Sequence, residues 1–167
     1  QPDDLELFVC FSSIAAVLGT AGQGNYAAAN CVLDGLCRSR RLRGQSATSV
    51  NFGYWSGDGM AAKLSEGERS RLEKSGIRFL EPTHALLALE AAITSKRAVT
   101  LVASIDWKTF VRNTWSDRFP RIFAPLVTAE RRDRAYILES DSLKHDEMSI
   151  FASISEFVRD ILGAATP

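Results

Sequence analysis

Long hydrophobic runs are missing from this 167-residue chain, and so is an excess of either charge sign. No apolar stretch approaches the roughly 18 residues that a membrane span needs, so no membrane-spanning segment is expected. The 20 Lys and Arg side chains are matched by 20 Asp and Glu. That balance argues against a strongly cationic binder of nucleic acid or polyphosphate, and against electrostatic steering to a membrane surface. Histidine is scarce: His84 and His145 stand far apart with no HxxxH or HxH partner, which argues against a metal centre. Cysteine is scarce too. Cys10, Cys31 and Cys37 are odd in number and lack metal-ligand spacing, so the natural reading is a reduced, cytoplasmic compartment. No basic region followed by an apolar stretch opens the chain, and no signal peptide is expected.

What is present is one ordinary domain's length of chain with 46% hydrophobic residues, enough to bury a core. Residues 5–11 are a nearly continuous apolar run, the pattern of a strand buried on both faces of a parallel sheet, ended by Ser12 and Ser13. A loop studded with Gly19, Gly22 and Gly24 follows. The next helix spans about 25–42, with Arg38, Arg40, Arg41 and Arg43 as a solvated C-terminal cluster and Gly44 as its cap. Residues 47–52 read as a second strand, and 65–74 as a polar helix. Glu81-Pro82 starts a third helix with Ala85, Leu86, Leu89, Ala92 and Ile93 as its apolar stripe, and 99–105 is a third strand. Strands alternating with helices predict an α/β fold with a parallel sheet. After Asp106-Trp107 the pattern loosens. Residues 127–147 read as a charged linker, and 148–162 as a helix with nothing of its own to pack on. The chain opens without Met, directly on a dense strand, and reads as an excerpt from a longer polypeptide.

The sharpest constellation joins the first strand to the first helix. Ser13 stands at a strand's carboxyl end, where open α/β sheets place their ligands. Tyr26 follows thirteen residues later in the first turns of the helix, and Asn30 one turn beyond it on the same face. A serine hydroxyl can hold a carbonyl oxygen while a phenol beside it delivers a proton to that oxygen. The pair suits hydride addition to a ketone, in which an alkoxide develops and must be protonated. A free phenol titrates near ~10, so a nearby cation is needed for it to act at neutral pH.

Phe11-Ser12-Ser13-Ile14-Ala15-Ala16-Val17-Leu18-Gly19, then Gly22-Gln23-Gly24-Asn25-Tyr26-Ala27-Ala28-Ala29-Asn30, resemble the ketoreductase domain of modular polyketide synthases, within the short-chain dehydrogenase/reductase superfamily. The resemblance continues through Asn51-Phe52-Gly53-Tyr54-Trp55, Gly59-Met60-Ala61, residues 76–82 and Asp106-Trp107 through Phe110, covering about residues 5–126. It implies the carboxyl-terminal half of a Rossmann-type, doubly wound parallel sheet with a helical tail. It further implies that Ser13 orients the substrate carbonyl, Tyr26 donates the proton and Asn30 stands where most of the superfamily has lysine. Tyr26, Gly53 and Trp55 would face the nicotinamide of NADPH, and residues 56–64 resemble the substrate lid. The tyrosine's lysine partner and the glycine-rich phosphate loop would precede residue 1, in an upstream half of the domain.

By the same resemblance, the substrate is a β-ketoacyl thioester on a phosphopantetheinylated acyl carrier domain. Residues 154–163 are similar to a carrier's first helix, which makes 1–126 ketoreductase, 127–147 linker and 148–167 the start of a carrier. Asp141-Ser142-Leu143 mimics a phosphopantetheine attachment site, but lacks the long helix that a carrier places before its serine. Family members that make L-β-hydroxy products resemble one another in a tryptophan eight residues before the tyrosine. Leu18 holds that place here, favouring a D product. Two other readings stay open: a free-standing reductase of a diffusible ketone, and a noncatalytic module that braces its neighbours.

Overall fold

The computed structural model describes residues 5–57, 60–114 and 123. It divides into two compact units, one built from Gln1–Ser56 with Phe79–Ala103, the other from Gly57–Arg78 with Ser104–Pro167.

In the first unit, β1 (Val9–Ser13), β2 (Thr48–Phe52) and β4 (Val99–Val102) form a parallel sheet in the order β1-β2-β4. The register sets Ser13 opposite Phe52 and Asn51 opposite Leu101. Between β1 and β2 run a short helix α1 (Ala15–Leu18) and the long α2 (Gly24–Leu42); α4 (Pro82–Thr94) precedes β4. The α2 segment suits a helix because it is alanine-rich, free of proline and closed by arginines, with Gly44 at φ +75° just past its end. Pro82 occupies the first turn of α4, where its missing N–H costs nothing. Ala85, Leu89 and Ala92 of α4 are buried and Leu86 and Ile93 half-buried, as the stripe predicts.

Two sequence expectations fail here. The first strand begins at Val9 rather than Leu5, includes both serines, and is not buried on both faces: Phe11 is 48% exposed. Among the described residues β1 pairs only with β2, so its other edge has no strand against it. The fully buried strand is β2, which carries Thr48, Ser49 and Asn51. Central position in a sheet buries a strand, and polar residues survive there only when hydrogen-bonded. The Thr48 hydroxyl accordingly donates to the Arg97 carbonyl at 3.2 Å. The arginine cluster is also not wholly solvated. Arg40 is buried with its guanidinium 4.3 Å from the Phe8 ring centre, and Arg41 Nε donates to the Ala47 carbonyl at 2.7 Å. These arginines fasten the entry to β2.

The second unit contains a 3-10 turn (Met60–Lys63), α3 (Glu66–Lys74), β3 (Ile77–Arg78), β5 (Ser104–Ile105) and α5 (Trp107–Thr114). β3 and β5 pair antiparallel. The predicted 99–105 strand is therefore two short strands in two sheets, interrupted at Ala103. β3, α5 and α1 were not legible, being two, eight and four residues long. Ser65 and Glu68 close α3 with a capping box, the Ser65 side chain accepting from Glu68 N–H at 3.3 Å and Glu68 Oε2 accepting from Ser65 N–H at 2.9 Å. Gly76 has φ +91°, and a Cβ there would lie 2.7 Å from the Asp106 carbonyl oxygen and 2.9 Å from the Phe110 nitrogen, so only glycine fits. The linker at 127–147, Ser142 and the helix at 148–162 lie outside the described residues. Among the described residues, no helix is long and apolar enough to cross a membrane.

Candidate active site

The predicted residues lie at the carboxyl end of β1 and in the first turns of α2, which Ser12 links by its bond to the Asn30 carbonyl. Ser13, half-buried, is the last residue of β1. Its Oγ accepts the Ala15 N–H at 3.2 Å, which occupies a lone pair and leaves the hydroxyl proton to donate elsewhere. The chain turns immediately after it, because Ile14 N–H donates to the Phe52 carbonyl at 2.8 Å and α1 begins.

Asn30 is buried, at 7% exposure, and its Nδ2 donates to the Tyr26 carbonyl oxygen at 2.9 Å. The amide thus clamps the turn that carries the phenol. Ser12 ties that same turn to the sheet, its hydroxyl donating to the Asn30 carbonyl at 3.3 Å. Cys31 Sγ donates to the Ala16 carbonyl at 3.5 Å, a second link between α2 and the segment following Ser13. Tyr26 is half-buried in the first turn of α2.

Gly53 and Trp55 follow β2. Gly53 N–H donates to the Val102 carbonyl at 2.8 Å, and a Cβ at Gly53 would stand 3.2 Å from Ala103 Cβ, tighter than ordinary contact. Its lack of a side chain lets β2 run close to β4. Trp55 is half-buried, meets the Phe52 ring edge-on at 5.1 Å and forms a parallel bridge to Leu80. Within residues 56–64, Met60–Lys63 form the 3-10 turn, and 58–59 lie outside the described residues.

Sequence reasoning passed over two groups. Tyr54 lies between the two residues singled out. Burial pushes its phenol above the ordinary value of 10.0, and the charge of the Tyr26 phenolate would push it further, which brings Tyr54 into the electrostatic reach of Tyr26. Tyr54 stays neutral at physiological pH. The other group is a buried polar set around Asn51, which has no exposed surface. Asn51 Nδ2 approaches Asp34 Oδ2 at 2.8 Å, Ser12 Oγ at 3.3 Å and the Ser13 carbonyl at 3.3 Å, while Ser49 Oγ donates to Asp34 Oδ1 at 2.6 Å. An asparagine and a serine within a strand invite no attention by composition. Asp34 lies eight residues after Tyr26, on the same helix face as Tyr26 and Asn30, and that spacing was the available signal.

Residues 1–57, which carry Ser13, Tyr26 and Asn30, match the family described as KR domain. The chain is 34% identical over 177 residues to the polyketide synthase GfsA of Streptomyces halstedii, across 98% of this chain and 2% of that protein. It is 40% identical over 125 residues to erythronolide synthase EryA3 of Saccharopolyspora erythraea, across 75% of this chain and 4% of the synthase. Among solved structures, it resembles the ketoreductase from the first module of phoslactomycin biosynthesis in Streptomyces sp. HK803, with a TM-score of 0.66 and 42% identity over 73% of this chain and 28% of that one. A structure of A-type ketoreductases from a modular polyketide synthase gives a TM-score of 0.65 and 39% identity, over 71% of this chain and 25% of that one. The chain therefore spans a few per cent of the synthases and about a quarter of the solved ketoreductase chains. With its parallel sheet, helices and strand-end serine, this α/β Rossmann-type chain belongs to the ketoreductase-domain family of polyketide synthases.

Proposed function

We propose that the chain is the carboxyl-terminal part of a cytoplasmic β-ketoreductase, which reduces a carrier-bound β-ketoacyl thioester to the β-hydroxyacyl thioester with NADPH. What supports this reading is Ser13 at the carboxyl end of a parallel strand, with its neighbour Ser12 bonded to the Asn30 carbonyl while Asn30 clamps the turn that bears Tyr26. The Ser13 hydroxyl donates a hydrogen bond to the substrate carbonyl oxygen and fixes its orientation, keeping its own proton. Tyr26 delivers a proton to the same oxygen as negative charge develops on it. Asn30 keeps the phenol's helical turn in register with the strand. Tyr54, kept neutral by burial, adds no negative charge beside Tyr26.

Trp55, a half-buried aromatic surface just past the end of β2, fits the nicotinamide end of the cofactor, and Gly53, packed against Ala103, brings the chain to that point. NADPH supplies the hydride when bound. A glycine-rich loop for its phosphates and a lysine beside Tyr26 are assigned to an upstream half of the domain, in keeping with the quarter of the solved ketoreductase chains that this chain covers. The partner that presents the substrate is a phosphopantetheinylated acyl carrier domain.

The test uses the complete ketoreductase domain, with NADPH oxidation followed by absorbance in the presence of a β-ketoacyl thioester. Tyr26→Phe lowers turnover by at least about a hundredfold while NADPH affinity stays within about twofold, because only the proton donor is lost. Equal turnover in both proteins removes Tyr26 from catalysis. No turnover in either, with the glycine-rich loop or lysine absent upstream, points instead to a noncatalytic bracing module.

A further inference from the structure

We propose that Asp34 is a positioning residue for the Ser13–Tyr26 pair, acting through the buried amide of Asn51; the inference rests on the ketoreductase reading above. Asp34 lies mid-helix in α2, half-buried, and its two carboxylate oxygens are each engaged from β2: Oδ1 by Ser49 Oγ at 2.6 Å and Oδ2 by Asn51 Nδ2 at 2.8 Å.

The carboxylate decides the direction of every later bond. It can only accept, so Asn51 must turn its Nδ2 toward it; the flipped amide would set Oδ1 against a negative oxygen. So oriented, the same Nδ2 faces the Ser13 carbonyl and Ser12 Oγ, both at 3.3 Å. With one N–H held by Asp34, the other is shared between those two acceptors; Ser12 Oγ accepts that hydrogen bond and donates its own to the Asn30 carbonyl at 3.3 Å. One continuous set of hydrogen bonds thereby runs from Asp34 to the peptide of Ser13 on one side, and to the turn clamping Tyr26 on the other. Asn51 and Ser12 are buried, so water competes little for these bonds and their direction is strongly enforced. Asp34 touches neither substrate nor cofactor in this arrangement. Its effect is to hold the serine-bearing strand end and the tyrosine-bearing helix turn at one fixed offset, on which the two groups' convergence on a single oxygen depends.

The experiment compares Asp34→Asn and Thr48→Val in the complete ketoreductase domain. Thr48 is a buried hydroxyl on the same strand whose bond to Arg97 leads away from the site. For each protein, melting temperature, NADPH affinity and kcat per NADPH-binding site are measured. An asparagine at 34 accepts either amide orientation, so the fold persists but the direction is lost. Asp34→Asn lowers kcat about tenfold, with NADPH affinity within about twofold, while Thr48→Val at a comparable melting temperature keeps kcat within about twofold. If Asp34→Asn yields no folded protein, Asn51→Ser breaks the same link and gives the same reading. A kcat unchanged in the Asp34 or Asn51 variant, or an equal loss in Thr48→Val, overturns the proposal and leaves the ketoreductase reading standing. A wild-type domain that does not reduce the thioester overturns both.

Discussion

The two compact units spend their polar side chains in opposite ways. In the first, Ser12, Asn30, Thr48, Ser49 and Asn51 are buried and bonded to one another, to Asp34 and to the backbone. In the second, side-chain bonds cap helix starts outside the core: the exposed Ser65–Glu68 box at the start of α3, and half-buried Asp106 accepting from Thr109 N–H at 3.1 Å and its hydroxyl at 2.9 Å at the start of α5. Its tightest point is backbone against backbone, where Gly76 meets Asp106 and Phe110. Buried polar bonds fix relative positions and are costly to leave half-made. Surface caps add small, separable increments to short elements that would otherwise fray. The difference shows which unit is built for geometry and which for local closure, and the proposed chemistry lies in the former.

The comparison breaks hardest at Gly76. Gly76→Ala imposes a positive φ on a residue with a Cβ and drives that Cβ into two backbone atoms, so it costs about 3 kcal/mol of stability, read as a lowered urea midpoint. A change under about 0.5 kcal/mol would show that the second unit tolerates slack there.

A smaller loss tests the surface caps. Ser65→Ala removes about 1 kcal/mol, measured in the same way. These caps also carry a pH signature. Hydrogen bonds from the Ser65 side chain and backbone hold the Glu68 carboxyl below its ordinary 4.5, and those from the Thr109 backbone and hydroxyl hold Asp106 below its ordinary 3.8. Both groups have folded values depressed below the unfolded ones. Their contribution is therefore complete above about pH 4.5, and is lost as pH falls below that value and through the folded values. Ser65→Ala flattens the part of the acid-unfolding curve due to Glu68, and added salt weakens that effect because Glu68 is exposed.

The smallest effect sharpens the other side. Burial, reinforced by the neighbouring Cys10 thiol, pushes Cys37 from 9.0 up to about 12. In the native protein at pH 8, Cys37 resists iodoacetamide and the exposed Cys31 reacts, as peptide mass spectrometry will show. Rapid labelling of Cys37 would mean that the interior between α2 and β1 opens readily.

Long periodic elements were legible in the sequence. α2 and β2 stand within a residue of their expected bounds and α4 starts where Glu81-Pro82 places it, because Gly44, Gly53 and Pro82 punctuate the chain. So were the places of the site residues: Ser13 ends β1, and Tyr26 and Asn30 lie one turn apart at the start of α2, as strand end and helix turn predict. Burial was read wrongly where sheet position overrides composition. The apolar run at 5–11 lies on an edge of the described sheet, and the polar β2 lies at its centre. β3 could not be read at all, and β5 was read only as a continuation of the strand at 99–105, since two-residue strands have no period and exist only through their pairing. Asp34 and Asn51 were invisible for a related reason: seventeen residues separate them, and only the fold makes them partners.

The central claim is that Ser13 and Tyr26 act on one carbonyl oxygen as a unit. A double-mutant cycle in kcat/KM on the complete domain tests it, using Ser13→Ala, Tyr26→Phe and the two combined. Each single change should cost at least about a hundredfold, with the combined protein scarcely slower than Tyr26→Phe alone, because groups that work together are lost together. Losses that simply multiply, to about ten-thousandfold in the double variant, would mean that the two side chains act independently and would contradict the account.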